Sequence, residues 1–276
     1  MPDALRMKPL ILITNDDGIY SPGLCAAAEA VADHGALLIA APRQQQTGMS
    51  RALTITPESG IIEIVSLEIM GKPHIAYAVH ATPALTVAHA ALEIAPHLPD
   101  LCISGINYGD NIGAILTASG TVGAALEASS CGIPAVAVSR EAKLHHQRSS
   151  EYASMDWGAA AYFTRRIAEQ VLKQGMPPGV AVLNVNVPDS ATPETEIHMT
   201  IQSRQPYYYF KKNTNTERDF SRPHTLNIEF AVDRATLESN SDIQAFVYDR
   251  VVSITPLSAT LTASVNLNTW YKAFSA

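Results

Sequence analysis

The sequence contains few charged residues and lacks the marks of membrane, fibrous or repeat proteins. Charged residues make up 16% of the 276 positions and hydrophobic residues 47%, which allows a sizeable core. No apolar run reaches the roughly 18 residues of a membrane-spanning helix, and the apolar stretch near the N-terminus is too short for a signal peptide. The net charge of −7 argues against non-specific binding to nucleic acid or to an anionic membrane. We therefore expect a soluble, cytoplasmic protein without membrane or stable nucleic-acid partners.

Cysteine is also scarce, and its three positions do not form a metal-binding pattern. Cys25, Cys102 and Cys131 are odd in number, and their spacing matches no zinc motif. Cys25 and Cys102 lie in apolar segments. The three residues are typical of small core side chains in a reducing compartment.

The first two-thirds of the chain alternates short apolar strands with helical stretches. This order predicts a parallel sheet covered by helices on both faces. Residues 53–80 alternate in the manner of β-structure and predict a local strand excursion. The predicted strands are 9–14, 36–41, 100–104, 133–139 and 180–188, and the predicted helices are 21–35, 82–95, 120–132 and 154–174.

The pattern changes beyond residue 190, where alternating strands are separated by a polar, aromatic segment. Strands are predicted within 197–203, 226–232 and 245–257, with a short helix at 268–274. These features predict an antiparallel, hairpin-rich extension over residues 191–276, after a core over residues 1–190.

The aromatic and basic residues of the segment 205–224 suggest nucleic-acid binding, but the small net charge of the segment argues against it. Four basic residues face two acidic ones, an excess of only two. Its tyrosines 207–209 are better explained as interface or strand residues in a hairpin near the site than as base-stacking residues, although stacking is open to them. His145 and His146 are expected in a solvated connector. The charged residues are Lys211, Lys212, Arg218 and Arg222 against Glu217 and Asp219.

Two adjacent carboxylates follow the first predicted strand, in the stretch "TNDDG" at 14–18. Past the strand end the chain bends at Gly18, so Asp16 and Asp17 could converge on one ligand. Two carboxylate oxygens suit Mg²⁺ or Mn²⁺, and such a cation would offset their mutual repulsion. Asx-turn and helix-cap chemistry explains the same residues equally well.

Polar residues follow other predicted strands, and a parallel sheet would gather them at one edge. "SGINYGDNIG" offers Ser104, Asn107 and Asn111 among glycines, and the loop 42–50 offers the hydroxyls of Thr47 and Ser50. Taken alone, each is an ordinary loop. In a third stretch, 118–129, Ser119 and Thr121 lie at the start of a predicted helix. Hydroxyl residues in this position either help to bind an anion or simply cap the helix. A dianionic metal site beside such a helix start is typical of phosphate chemistry.

Six stretches occur in an order that resembles the SurE family of stationary-phase survival proteins, which are metal-dependent 5′/3′-nucleotidases. The resemblance spans nearly the whole chain and implies a Rossmann-like, three-layer α/β core. It also implies a C-terminal extension that exchanges elements between the subunits of a homodimer or homotetramer. The stretches are LITNDDGIYSPGL, SGINYGDNIG, SGTVGAALEA, IPAVAVS, LNVNVP and VVSITPL.

The resemblance also implies roles for individual residues. A divalent cation, Mg²⁺ or Mn²⁺, would be held by the two carboxylates, which are the candidate catalytic residues, by an amide and by a hydroxyl. The phosphate of a nucleoside monophosphate would be held by the helix start and neighbouring amides. The metal set is Asp16, Asp17, Thr47 and Asn107, and the phosphate set is Asn15, Asn111, Ser119, Gly120 and Thr121.

The chain departs from the family pattern at four positions. Thr47 stands where the family has serine, and Arg43 and Leu85 stand where it has aspartate. Ala118 precedes the "SGT" triplet, where an aromatic residue or histidine is common. These departures bear on substrate preference and efficiency, and they leave open a catalytically weak or inactive phosphate-binding protein of the same fold.

Two other phosphate-handling folds fit less well. A haloacid-dehalogenase-type phosphatase requires Asp-x-Asp after its first strand, whereas the aspartates here are adjacent. A phosphorylation receiver module needs an acceptor aspartate at a later strand end, yet residues 34–99 contain no aspartate. We expect hydrolysis of nucleoside monophosphates, with the cation offsetting phosphoryl charge and orienting the attacking water.

Overall fold

The computed structural model describes residues 8–143, 147, 152–212, 219–222, 226–263, 265, 266, 268, 271 and 274. The expectation for His145 and His146 lies outside these residues. So do Glu217 and Arg218 of the charged segment and most of the helix predicted at 268–274.

A nine-stranded sheet forms the centre of the molecule, in the order β3-β4-β2-β1-β5-β6-β7-β11-β8. The six strands from β4 to β7 run parallel, while β3 and β11 are antiparallel to their neighbours β4 and β7. A separate antiparallel pair is formed by β9 and β10. The strands are β1 Leu10–Thr14, β2 Ala36–Pro42, β3 Ile62–Ile69, β4 Lys72–Val79, β5 Leu101–Tyr108, β6 Ala135–Arg140, β7 Val182–Val187, β8 Ile197–Met199, β9 Tyr208–Lys211, β10 Asn227–Phe230 and β11 Val252–Leu257.

Two helices cover each face of the sheet. The helices are α1 Pro22–Val31, α2 Pro83–His89, α3 Gly120–Ser130 and α4 Gly158–Gln174. Side chains alternate between the faces of a strand, so Ile11 and Ile13 pack with α1 and α4, while Leu10 and Leu12 pack with α2 and α3. All five residues of β1 are buried, as the continuous apolar run predicts. The predicted α/β class and three-layer core are confirmed.

Several predicted element boundaries were wrong. The stretch 53–56 is not a strand, although the hairpin β3–β4 lies in the predicted excursion. Residues 244–248 form a helical turn rather than the start of a strand. The strand β5 continues to Tyr108 instead of ending at Ser104, with a register shift between Ser104 and Asn107.

The C-terminal part contributes to the main sheet as well as to the hairpin. β11 pairs with β7 and β8 pairs with β11, so the sheet crosses the predicted division at residue 190. The hairpin character of the extension is carried by β9 and β10. The division into core and extension remains a prediction. No helix in the described part of the chain has both the length and the hydropathy needed to span a bilayer.

Candidate active site

The turn after β1 is closed by the side chain of Asn15. Its Nδ2 donates to Gly18 O, and Gly18 N donates back to its Oδ1, both at 3.1 Å. Gly18 has φ of +101°, a conformation that favours glycine. Asn15 thus forms the Asx-type turn that the sequence left open, and it positions the two aspartates that follow. Its contact with phosphate remains a prediction.

Asp16 lies against the start of α3. The Thr121 hydroxyl donates to Asp16 Oδ1 at 2.6 Å. A Cβ on Gly120 would lie 2.6 Å from Asp16 Oδ2, so only glycine leaves room for this carboxylate. The structure therefore explains the glycine at the first position of α3 by the close approach of Asp16.

Asp17 is held from the opposite side by the backbone of β5 and by the loop after β2. Tyr108 N donates to Asp17 Oδ2 at 3.2 Å, and Gln45 Nε2 donates to Oδ1 at 3.4 Å. The Tyr152 hydroxyl donates to the main-chain oxygen of Asp17 at 3.0 Å. The two carboxylates are therefore separately oriented, one by α3 and one by β5.

Burial makes both carboxylates costly in their charged form. Asp16 and Asp17 are 4% and 1% exposed. Burial raises the pKa of Asp16, and hydrogen bonds from Thr121 and the α3 backbone partly oppose this. Burial raises the pKa of Asp17 as well, and the neighbouring Asp16 charge raises it further. In the described part of the chain neither aspartate forms an ion pair with a basic side chain.

Asn107 lies near the end of β5 and presents one atom suited to a cation. Its Nδ2 donates to Gly109 O at 2.8 Å, which fixes the amide and leaves Oδ1 as the remaining oxygen. Ser104, predicted to follow the strand, lies buried inside it. The Ser104 hydroxyl has no hydrogen-bond partner among the described residues.

Asn111 is fixed by groups from three elements. Its Nδ2 donates to Ser139 Oγ at 2.9 Å and to Thr121 Oγ1 at 3.4 Å. Its main-chain oxygen accepts from Asn184 and Asn186 of β7, and its N–H donates to Asn186 Oδ1. The sequence analysis assigned no role to these two asparagines. The signal was present in "LNVNVP", because two polar residues at period two in a buried strand face the same side.

Ser119 caps α3 through its hydroxyl, which accepts from Val122 N at 3.1 Å. Thr47 lies across the cavity, where its hydroxyl donates to Gln147 O at 3.5 Å. Arg43, one of the four departures from the family pattern, forms a different contact, in which its Nε donates to Glu63 at 3.0 Å. Leu85 lies in the first turn of α2, where its N–H is capped by Thr82.

A cavity of about 490 Å³ unites these residues. Of the predicted residues Asp16, Thr47, Asn107, Asn111 and Ser119 line it, whereas Asn15, Asp17, Gly120 and Thr121 do not. Ala118 lines it too, unlike Arg43 and Leu85. Tyr208, from the hairpin that the sequence analysis expected near the site, also lines it. Further lining residues missed by the sequence analysis are Gln45, Gly48, Tyr108, Asp110, Ile115 and Gln147.

The donor set fits a hard divalent cation. Among the described residues no group of three or more His, Cys, Asp and Glu side chains could hold a metal. The available set is instead two carboxylates, the Asn107 amide oxygen and the Thr47 hydroxyl, all oxygen ligands of the kind Mg²⁺ and Mn²⁺ accept. Two buried, adjacent carboxylates without a basic partner are the feature that a divalent cation would explain.

Comparison with known proteins identifies the family. The family model described as "Survival protein SurE" matches residues 11–209. This chain belongs to the SurE family. The match includes the carboxylates after β1, Asn107 within β5, Asn111 after it and the start of α3.

Relatives within the SurE family cover nearly the whole chain. The 5′-nucleotidase SurE of Methanosarcina mazei is 38% identical over 267 residues, which are 95% of this chain and 96% of the relative. That of Thermococcus kodakarensis is 37% identical over 93% of this chain and 95% of its own length. The crystal structure of the SurE protein from Aquifex aeolicus superposes with a TM-score of 0.71 at 27% identity, covering 97% of this chain and 100% of the other.

Proposed function

We propose that this SurE-family chain hydrolyses nucleoside monophosphates to nucleosides and phosphate. The observation that carries the proposal is a pair of adjacent, buried carboxylates, of which Asp16 lies against the start of α3 and lines the cavity, while Asp17 lies against the backbone of β5. Relatives that match 95% and 93% of the chain are named for 5′-nucleotidase activity. The cavity volume lies within the usual range for small-molecule sites, roughly 300–1,000 Å³.

The proposed metal site consists of Asp16, Asp17, Asn107 and Thr47, holding Mg²⁺ or Mn²⁺. When bound, such a cation offsets the charge of the phosphoryl group and activates water. Asp16 and Asp17 supply the negative charge that retains it. Thr121, Tyr108 and Gln45 hold these carboxylates in place by hydrogen bonds. A rigid arrangement of this kind requires little reorganisation during the reaction.

The proposed phosphate site is the start of α3 with Asn111. Free N–H groups at a helix N-terminus attract anions, and Ser119 and Asn111 line the cavity beside it. Because Thr121 accepts from Asn111 and donates to Asp16, the phosphate and metal residues share one hydrogen-bonded chain. The helix dipole contributes only about 0.3–1 kcal/mol. The charge of the cation held by the two carboxylates and the positioning of the substrate must therefore contribute more.

The nucleoside would occupy the part of the cavity that is lined by Ile115 and Tyr208. Tyr208 belongs to β9, so the extension provides one wall of the substrate site. We further propose that the protein works in the cytoplasm as a homodimer or homotetramer. Three free cysteines support a reducing compartment. Exposed aromatic residues on the hairpin support subunit contacts, with Tyr209, Phe210 and Phe230 all exposed.

A nucleotide panel tests the proposal. Purified protein is stripped with chelator, then assayed for phosphate release from nucleoside 5′- and 3′-monophosphates and a generic phosphate ester, with Mg²⁺, with Mn²⁺ and without metal. Metal-dependent release from nucleoside monophosphates is expected. If no ester is hydrolysed while inorganic phosphate still binds, the chain is a phosphate-binding protein and the hydrolase proposal is wrong.

A further inference from the structure

The loop that carries Asn111 is held at two ends by different parts of the molecule. Toward the core, Asn184 and Asn186 bind the main chain of Asn111 itself. Toward the C-terminal side, Gly113 N donates to Asp242 Oδ2 at 2.9 Å. The loop is thus bonded both to β7 and to Asp242, which follows Gly113 by 129 positions in the chain.

Asp242 is a fully buried carboxylate that gathers three main-chain donors. Besides Gly113 N, its Oδ1 accepts from Ser203 N at 2.9 Å and from Ile243 N at 2.8 Å. Its side chain is 0% exposed. A buried charge is tolerated only when hydrogen bonds replace its lost hydration. All three donors belong to main chain, so the carboxylate fixes backbone positions rather than side chains.

Further contacts bind the same loop to the same part of the extension. Gln202 Nε2 donates to Gly113 O at 3.0 Å, and Ala114 N donates to Gln205 O at 2.9 Å. Gly113 has φ of +64°, and a Cβ there would lie 2.6 Å from Gln205 O. Gly113 is therefore bonded at both its N–H and its C=O, and its contact with residue 205 leaves no space for a side chain.

Ile112 anchors the loop by packing. It is fully buried and forms a small hydrophobic cluster with Ile243 and Phe246, separate from the two clusters on the faces of the sheet. Ile112 stands between Asn111 and Gly113, so its position restricts the backbone of both neighbours. Interiors pack closely and transmit small displacements.

We propose that Asp242 is a positioning residue for phosphate binding, because it fixes Gly113 and through it the Asn111 amide. The extension then takes part in catalysis from within the chain, by setting the loop between β5 and α3. This inference rests on the proposed function, in which Asn111 contacts the phosphate. Asp242 itself does not line the cavity.

The decisive variant is Asp242→Asn. The asparagine can keep its oxygen toward Ser203 N and Ile243 N, which places its NH₂ group against Gly113 N–H and breaks only that bond. We expect KM for a nucleoside monophosphate and the inhibition constant of inorganic phosphate to rise together, by about ten-fold, as for coupled neighbouring residues. We expect kcat to fall much less, since an interaction made equally in ground and transition states acts on KM. A loss of kcat with unchanged KM and phosphate inhibition would show a merely structural role and overturn the proposal.

Glu238→Gln is the matched control. Glu238 accepts from Ser203 Oγ at 2.7 Å and from Arg204 N at 3.2 Å, on the same segment as Asp242, without a bond to residues 110–114. It should lower thermal stability and leave KM and phosphate inhibition within two-fold of the parent, because Glu238 shares Ser203 with Asp242 but has no bond to the loop that carries Asn111. An equal rise in KM for both variants would overturn the proposal.

A double variant separates the inference from the proposed function. If Asp242 acts through Asn111, adding Asp242→Asn to Asn111→Ala changes KM no further. If Asn111→Ala itself leaves KM unchanged, the assigned phosphate contact is wrong. If Asn111→Ala raises KM while Asp242→Asn does not, the inference alone is wrong. Should Asp242→Asn fail to fold, Gln202→Met removes the donor to Gly113 O and should raise KM and the phosphate inhibition constant in the same direction.

Discussion

The Thr121 hydroxyl donates a 2.6 Å hydrogen bond to Asp16 Oδ1, across 105 positions of sequence. The same hydroxyl accepts from Asn111 Nδ2 at 3.4 Å. A single threonine at the start of α3 therefore joins the proposed phosphate ligand to the proposed metal ligand. This link would couple the start of α3 to Asp16 in the proposed site.

Thr121→Val should reduce kcat/KM by about 10- to 100-fold, because a hydrogen bond to a charged group contributes roughly 1.5–3 kcal/mol. Valine keeps the shape and removes the donor. Thr164→Val is the control, since Thr164 is also buried and donates to Ala160 O at 2.7 Å within α4, away from the cavity. Steady-state kinetics at saturating metal measure the effect. Equal activity losses in both variants would contradict a specific role for Thr121.

Gly120→Ala should weaken metal binding more than folding. The new Cβ would lie 2.6 Å from Asp16 Oδ2 and 2.7 Å from Asp16 Cβ, so the carboxylate must move. We expect the Mn²⁺ concentration for half-maximal activity to rise by about ten-fold or more, as for altered support of a metal ligand.

Gly158→Ala provides the control for Gly120→Ala. Among the described residues its Cβ would meet only the Asp156 side chain, with Oδ1 at 3.1 Å, and Asp156 is exposed and can move. Gly158→Ala should leave the metal requirement unchanged. An unchanged metal requirement in Gly120→Ala would mean that Asp16 does not hold the cation.

Much of the core could be predicted from sequence because its signals are local. Continuous apolar runs identified β1 and β2, and the Thr82–Pro83 and Ser119–Gly120 starts identified α2 and α3. The end of β5 was missed because Gly105, Asn107 and Gly109 favour loops in isolation. Pairing with β6, in which Asn107 lies opposite Ser139, keeps this stretch in the sheet.

The supporting layer of the site could not be predicted in the same way. Asp16 and Thr121 were expected together because parallel strand ends share one edge. The contacts of Asn186 and Asp242 with the loop 111–113 join positions 75 and 129 apart. They depend on which strand follows β6 and on where the extension packs. Hydrophobic periodicity indicates which face of an element is buried but does not identify its neighbour.

Asp17→Asn should abolish metal-stimulated phosphate release and yet stabilise the metal-free protein. Burial and the Asp16 charge raise the pKa of Asp17. A raised carboxyl pKa means that the unfolded chain loses its proton first, so the group lowers stability as pH rises from the usual carboxyl pKa through the raised one. In chelator, the melting temperature of the variant should exceed that of the parent at about pH 8, and the gap should narrow as pH falls and close near the usual carboxyl pKa, about 4.

Added Mn²⁺ should reverse this order. It should raise the melting temperature of the parent but not that of Asp17→Asn, because a ligand stabilises only a folded protein that binds it. Asp156→Asn is the control, because Asp156 is exposed and its Oδ1 caps Gly158 N at 2.8 Å. It should not change the response to Mn²⁺. Phosphate release by Asp17→Asn at the parent's rate would contradict the metal site.

Tyr208→Ala should weaken the binding of nucleoside monophosphates but not that of phosphate esters without a base. Tyr208 lines the cavity from β9, while its successor Tyr209 points to the other side of the hairpin and is exposed. If a base packs on Tyr208, its loss should raise KM for nucleoside monophosphates by about five-fold or more, since stacking contributes roughly 1–3 kcal/mol. KM for a small phosphate ester without a base should stay constant, and Tyr209→Ala should change neither. A parallel rise for both substrates would mean that Tyr208 shapes the phosphate end of the cavity and does not contact the base.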